Sequence, residues 1–188
     1  MISALVFALT SAQAATYDID SSHTRVGFGI THMMVSTVRG EFGTVSGKVE
    51  YDPANVGATK INAEIAVTSV DTREPKRDEH LRSPDFFDAA KFPTMTFKSK
   101  AVKNASATGF DVVGDLTMHG VTKEVTLHVD PISKEYKDPW GNFKAGTHAV
   151  GTVNRKDFGM VYNSAIDGGG YILGDDVKIE IDVEMGRK

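Results

Sequence analysis

The sequence predicts an all-β protein, an eight-stranded antiparallel barrel with a short helical segment around residues 74–90 lying across one end. Three observations carry that reading: short runs in which apolar and polar residues alternate, Gly and Pro falling between those runs, and one interval, residues 72–91, where the alternation stops. A chain of 188 residues with 40% hydrophobic and 24% charged side chains suits a single folded domain, since all-β barrels up to ~250 residues form one unit.

The expected strands run over about 17–35, 38–51, 60–70, 93–103, 107–119, 121–136, 142–155 and 171–186. The first holds Val26-Gly-Phe28-Gly-Ile30, apolar on one face with Gly on the other. In the second, the parity changes between Val38/Phe42 and Val45/Val49/Tyr51, which requires a bulge near Gly43. Ile61, Ala63, Ile65 and Val67 alternate in the third, and Met95 and Phe97 in the fourth, which starts at Pro93. Phe110-Asp-Val112-Val-Gly114-Asp-Leu116-Thr-Met118 and Val125-Thr-Leu127-His-Val129-Asp continue the pattern. The clearest run is the last, Val177-Lys-Ile179-Glu-Ile181-Asp-Val183-Glu, a strand with one wet face. Pro53, Pro75, Pro84, Pro131 and Pro139 lie at or beyond strand ends, where a missing N–H breaks no ladder.

Residues 72–91 are expected to form one or two short helices; Ser83-Pro84-Asp85 has the order N-cap, N1 proline, early acid that starts one, and the following turn carries Phe86 and Phe87. The alternating charges before it read as a solvated face. Two adjacent Phe in a short connection are both hidden only if the segment crosses the open end of the barrel, which makes it a lid.

Lys+Arg number 21 against 25 Asp+Glu, a formal charge of −4, so no basic stripe points to nucleic acid. The absence of cysteine removes disulfide frameworks, thiolate nucleophiles and zinc ribbons together. Residues 1–14 (MISALVFALTSAQA) read as a signal peptide cut after Ala12-Gln13-Ala14, leaving a domain over residues 15–188 in the periplasm or medium. That apolar run lacks the Lys or Arg that usually precedes it, and falls short of the ~20 residues a permanent membrane anchor needs.

By parity the inward set is Val26, Phe28, Ile30, Phe42, Ala63, Ile65, Val67, Met95, Phe97, Phe110, Val112, Leu116, Met118, Val125 and Leu127, almost without polar atoms. A barrel of this size is filled by its own side chains or holds one small ligand, and alternation alone leaves both open. Any ligand inside is an apolar chain, since each buried CH₂ is worth ~0.8 kcal/mol without a hydrogen bond.

Several dispersed motifs resemble the YceI-like family of polyisoprenoid-binding, lipocalin-like barrels. They are Asp20-Ser21-Ser22-His23 with Thr31-His32, Arg39-Gly40-Glu41-Phe42, the stretch from Arg77-Asp78-Glu79-His80-Leu81-Arg82-Ser83-Pro84-Asp85-Phe86-Phe87 through Lys91-Phe92-Pro93-Thr94-Met95-Thr96-Phe97, Gly114-Asp115-Leu116-Thr117-Met118-His119-Gly120, Pro139-Trp140-Gly141, and Arg155-Lys156-Asp157-Phe158-Gly159-Met160. The resemblance covers essentially the whole chain after residue 14. It implies a barrel that holds a long isoprenoid or similar lipid, such as an isoprenoid quinone or prenyl precursor, without chemistry and without any other cofactor. On this reading the ligand meets Phe28, Ile30, His32, Phe42, Ile65, Val67, Phe97, Phe110, Leu116 and Met118 on the wall, Leu81, Phe86 and Phe87 on the lid, and Trp140 and Phe158 near the ends. A homodimer is compatible with it.

The histidines His23, His32, His80, His119, His128 and His148 have no i,i+2 or i,i+4 pairing, so no metal site is expected. Ser22, His23 and Asp20 resemble parts of a nucleophilic triad, but no Gly-x-Ser-x-Gly elbow accompanies them. The rival reading is an enzyme acting on an isoprenoid at the barrel mouth, with His23, His32 or Asp78 as acid or base. Gly168-Gly169-Gly170 reads as a connector and not a phosphate loop, since no Lys-Ser/Thr follows.

Overall fold

A computed structural model describes residues 14–188, so the expected signal peptide, apart from Ala14, lies outside the described residues. The strands are β1 (Ala15–Ile19), β2 (Arg25–His32), β3 (Ser36–Phe42), β4 (Val45–Tyr51), β5 (Lys60–Ala66) and β6 (Val70–Asp71), followed by helix α1 (Pro75–Arg82). After the helix come β7 (Thr94–Ser106), β8 (Gly109–Met118), β9 (Val121–Val129), β10 (Tyr136–Lys137), β11 (Phe143–Asn154) and β12 (Leu173–Arg187). Every pairing is antiparallel, and the extra β11–β12 ladder closes the sheet on itself.

The twelve segments make an eight-stranded barrel because three staves are broken in the middle. β1 and β2 are one stave, kinked by a 3₁₀ turn at Ser21–His23, and both pair with β12. β3 and β4 are another, broken at Gly43 and Thr44, where Phe42 and Val45 both stay buried. That break is the irregularity expected near Gly43; the backbone there turns to Ser69, whose hydroxyl accepts from Thr44 N–H at 3.1 Å. β5 and β6 form the third, interrupted by a 3₁₀ turn at Val67–Ser69. The strand expected over 121–136 stops at Val129, and β10 is a short flap paired with β11. Among the described residues no helix is long and apolar enough to cross a membrane.

The helix starts nine residues before Ser83-Pro84, within the expected helical interval of residues 74–90. Glu74 is its N-cap, accepting from Lys76 N–H at 3.3 Å, Pro75 is at N1 and Asp78 is in the first turn. Ser83 caps the other end, and Ser83-Pro84-Asp85 begins the irregular turns that carry Phe86 and Phe87. Glu74-Pro75 offers the same cap-plus-proline order as Ser83-Pro84, and the earlier pair wins because Asp78 then reaches Thr72, as described below.

The two ends are closed differently. At one end Tyr17, Val49, Ala145 and Met185 fill the barrel from its own strands. At the other, Phe42, Val67, Val70, Ala89, Met118, Phe158 and Met160 join strand tops to the segment between β6 and β7 and the turn after β11. Gly40 permits this junction: a Cβ there would collide with the Phe28 ring and lie 2.7 Å from Thr72 Cγ2.

Candidate functional site

Between the two ends lies a cavity of about 420 Å³, within the ~300–1,000 Å³ of typical ligand pockets. Its length runs from Val183, Met185 and Ile132 at the strand-filled end to Phe87, Tyr162 and Ile172 beneath the lid. The wall between is almost entirely hydrocarbon and aromatic carbon. Polar side chains on its surface are few: Thr24 and Thr147 on the wall, and His32, Arg77, His80, Arg155 and Tyr162 toward the lid.

Twelve of the fifteen residues expected to meet a ligand line this space: Phe28, Ile30, His32, Phe42, Ile65, Leu81, Phe86, Phe87, Phe97, Phe110, Leu116 and Met118. Val67, Phe158 and Trp140 do not. Val67 falls in the 3₁₀ turn after β5, where its N–H donates to Pro93 O at 2.9 Å; strand parity no longer applies and the side chain packs into the core. Phe158 is 1% exposed on the 3₁₀ turn Arg155–Phe158, a plug element packed behind the cavity. Its carbonyl accepts from His119 Nδ1–H at 2.8 Å. Trp140 is 84% exposed, opposite the lid, because Asp138 accepts from the N–H groups of Trp140 and Asn142 and tightens the turn so that the indole points to water. Its expected contact with a ligand near a barrel end is not observed.

The lid is held in place by polar contacts, a requirement for any cover whose own helix is too short and too polar to bury itself. Asp78 is buried and accepts from Thr72 N–H at 2.8 Å and Thr72 Oγ1–H at 2.6 Å. Arg77 donates to Thr72 Oγ1 and Thr72 O, each at 2.8 Å, and Arg82 donates to Thr68 O at 3.0 Å and Val70 O at 2.7 Å. With the helix anchored, Phe87 meets Phe42 edge-on at 5.5 Å between ring centres, and His80, Phe86 and Tyr162 form a triangle of rings 4.9 to 5.2 Å apart. His80 Nε2 lies 2.9 Å from Asp85 Oδ2, which fixes its ring plane.

Across the mouth, Arg155 performs the matching task. It is 3% exposed and donates to Gly174 O, Met160 O and Tyr162 O at 2.5 to 2.9 Å, tying the loop after β11 to the start of β12. Burial lowers its pKa, with the Asp175 carboxylate at 3.3 Å opposing that shift. Arg77, His80, Arg155 and Tyr162 were absent from the expected ligand set. The first three sit within the motifs that resemble the YceI-like family, which was the available signal; Tyr162 carries none.

Of the three groups of the enzyme reading, His32 borders the cavity, whereas Asp78 and His23 do not. Asp78 is consumed by Thr72. His23 is exposed on the outer wall at the β1–β2 kink, and Ser22 Oγ–H donates to Asp20 at 2.6 Å in a local N-cap cluster. Asp20, His23 and Glu184 lie close enough to resemble a metal site, but the Lys144 ammonium already sits 2.5 Å from Asp20 and 3.1 Å from Glu184. Lys144, then Ser22, hold the Asp20 carboxyl well below the usual carboxylate range. His128 and His148 pair with Asp111 and Asp130 at 2.8 and 3.4 Å. Only His32 and His80 of the six histidines border the cavity.

The YceI-like domain profile matches residues 17–185. An UPF0312 protein of Yersinia enterocolitica is 42% identical over 161 residues, covering 85% of this chain and 83% of its own. Among solved structures, the YCEI protein of Campylobacter jejuni superposes with a TM-score of 0.70 at 33% identity over 84% of this chain and 90% of its own. A polyisoprenoid binding domain from Saccharophagus degradans shares the fold at TM-score 0.63 and 15% identity, over 94% of this chain and all of that domain. The closed eight-stranded barrel, its lidded apolar cavity and these matches lead to one conclusion: the chain belongs to the YceI-like family.

Proposed function

We propose that the protein binds and carries a long-chain isoprenoid or similar lipid within its lumen, as a non-catalytic carrier or store acting outside the cytoplasm. The observation that carries this reading is the 420 Å³ cavity walled by hydrocarbon along its length, with its few charged and ring-nitrogen groups confined to the lid end. Such a lumen grips a chain by area, and the two threonines on its wall, Thr24 and Thr147, donate their hydroxyls to backbone carbonyls, Glu184 O at 3.2 Å and Asp130 O at 2.8 Å. The head of the ligand then lies among His32, Arg77, His80 and Tyr162. The solved relative named for polyisoprenoid binding supports the ligand class, and Ala12-Gln13-Ala14 supports export.

Displacement of a fluorescent lipid by prenyl alcohols of rising length tests it. Affinity is expected to climb by about fourfold per CH₂ until the cavity is full, then to level off. Affinity that ignores chain length overturns the reading.

A further inference from the structure

Six exposed apolar side chains gather beside the mouth. Met33, Met34 and Val35 form the β2–β3 turn, with Met34 71% and Val35 84% exposed; Val161, Tyr162 and Tyr171 lie on the loop between β11 and β12. The two loops touch. Met33 N–H donates to Ile172 O at 2.7 Å, and Met34 Sδ occupies the space a Cβ on Gly170 would take. Tyr162 belongs to both surfaces, since its ring also borders the cavity.

Charge is missing from the same place. Residues 31–38 and 159–174 together contain one formally charged side chain, Asp167, in a chain that is 24% charged. The turn is also strained. Met33 and Met34 both have positive φ, 49° and 61°, and the turn is closed by Val35 N–H donating to His32 O at 3.1 Å. Turns of this hand favour Asn or Gly, and the chain uses His119-Gly120 where it makes the β8–β9 turn at φ 52° and 73°. At Met33-Met34 it instead holds two long apolar side chains in water, in a backbone conformation that penalises a Cβ. Apolar exposure and positive φ combined in one turn point to an occupant met after folding.

We propose that this rim is a docking surface for a lipid bilayer, its two loops inserting their tips to the boundary between headgroups and acyl chains so that the cavity mouth opens onto lipid. This rests on the lumen being a lipid pocket. A protein partner fits less well, because a stable interface engages ~20–30 residues a side and six apolar side chains on two loop tips do not supply them. Unbranched Met side chains adapt to a fluid surface, and Tyr rings suit the headgroup level. The opposite end also exposes aromatic rings, Tyr136 and Trp140, but lies away from the mouth, and Lys134 already covers the Tyr136 ring at 5.0 Å.

The chain has no cysteine, so a reporter fluorophore on Val35→Cys or on Trp140→Cys is unique and compares the two ends in the full chain. The probes are vesicles of phosphatidylethanolamine with a minority of phosphatidylglycerol, in about 1 M salt, where screening removes long-range charge attraction. The Val35 reporter is expected to turn apolar and to be quenched by brominated acyl chains, while the Trp140 reporter stays aqueous. Adding Met33→Asn with Met34→Gly is expected to weaken vesicle binding at Val35 by about tenfold or more while leaving the melting temperature equal or higher, since the turn is relieved. A silent Val35 reporter, a response at Trp140 alone, equal binding by the double variant, or a concentration-dependent dimer in place of vesicle binding each overturns the proposal. Prenyl alcohol binding in solution, measured on the same samples, reports on the lumen separately: if it survives while docking fails, only the docking inference is lost, and vesicle docking without prenyl binding removes the carrier reading together with the rim's role of opening the mouth onto lipid, leaving the bilayer contact alone.

Discussion

The barrel's two ends are sealed by opposite means. At the strand-filled end, Tyr17, Val49, Ala145 and Met185 come from the staves themselves, and Glu135 binds Tyr17 Oη–H at 2.9 Å and Arg187 at 3.1 Å. At the lid end the seal is an inserted segment, anchored by Asp78, Arg77 and Arg82 through backbone carbonyls and one threonine. A seal built from staves opens only when the sheet does. A seal built from an insertion opens at the cost of its own anchors, leaving every ladder in place, so access belongs to the lid end and rigidity to the other.

The largest expected effect breaks the lid. Phe86→Ala with Phe87→Ala removes two rings from the cavity roof, at about 3 kcal/mol for a fully buried ring and less for the partly exposed Phe87. Since 1.4 kcal/mol is tenfold, a bound prenyl chain is expected to escape at least about tenfold faster, with entry changed much less. A double variant that melts earlier yet releases lipid at the wild-type rate would make these rings ordinary core.

A smaller effect belongs to the other end. Burial, then the bond to Glu135, raises the Tyr17 pKa to about 12 from 10, so folding favours its neutral form. The stability this contributes is complete below pH ~10, the unfolded value, and is lost as pH rises through about 12. Tyr17→Phe is expected to remove that alkaline step in a pH series of melting temperatures, to cost ~1 kcal/mol at neutral pH, and to leave lipid escape unchanged. Faster escape in this variant would show that both ends leak.

The smallest effect is at Trp140. With its indole 84% exposed on a turn held by Asp138, Trp140→Ala is expected to shift stability by no more than about 0.5 kcal/mol and lipid affinity not at all. A measurable loss of affinity would return this residue to the ligand site.

Strand parity is a local property, and wherever a stave ran unbroken it named the cavity wall residue by residue, as in Phe110, Val112, Leu116 and Met118. It failed at Val67, where a 3₁₀ turn of three residues takes the chain out of the strand without altering its apolar pattern. Caps are legible too, but Glu74-Pro75 and Ser83-Pro84 carry nearly the same signal. The choice between them depends on Asp78 meeting Thr72, a contact set by the fold of the segment against β6. Trp140 shows the same limit: Pro139-Trp140-Gly141 marks a turn, whereas the bonds to Asp138 determine where the ring points. The polar mouth was half visible, since Arg77, His80 and Arg155 lie in motifs, yet their gathering around Tyr162 needs three distant segments.

β12 is paired along one edge with β11, from Lys144↔Gly186 to Asn154↔Asp176, and along the other with β2 and β1. The stave that turns the curved sheet into a ring is therefore the last one synthesised, and its partner Val26 was made long before Ile181. Until residues 173–187 emerge, β2 and β11 both show bare edges and no enclosed lumen exists. Long-range closure of this kind is slow, because the loop entropy of nearly the whole chain is lost before the final ladder compensates for it. Half-made chains thus stay open and threadable, and no closed cavity exists before the ring is complete.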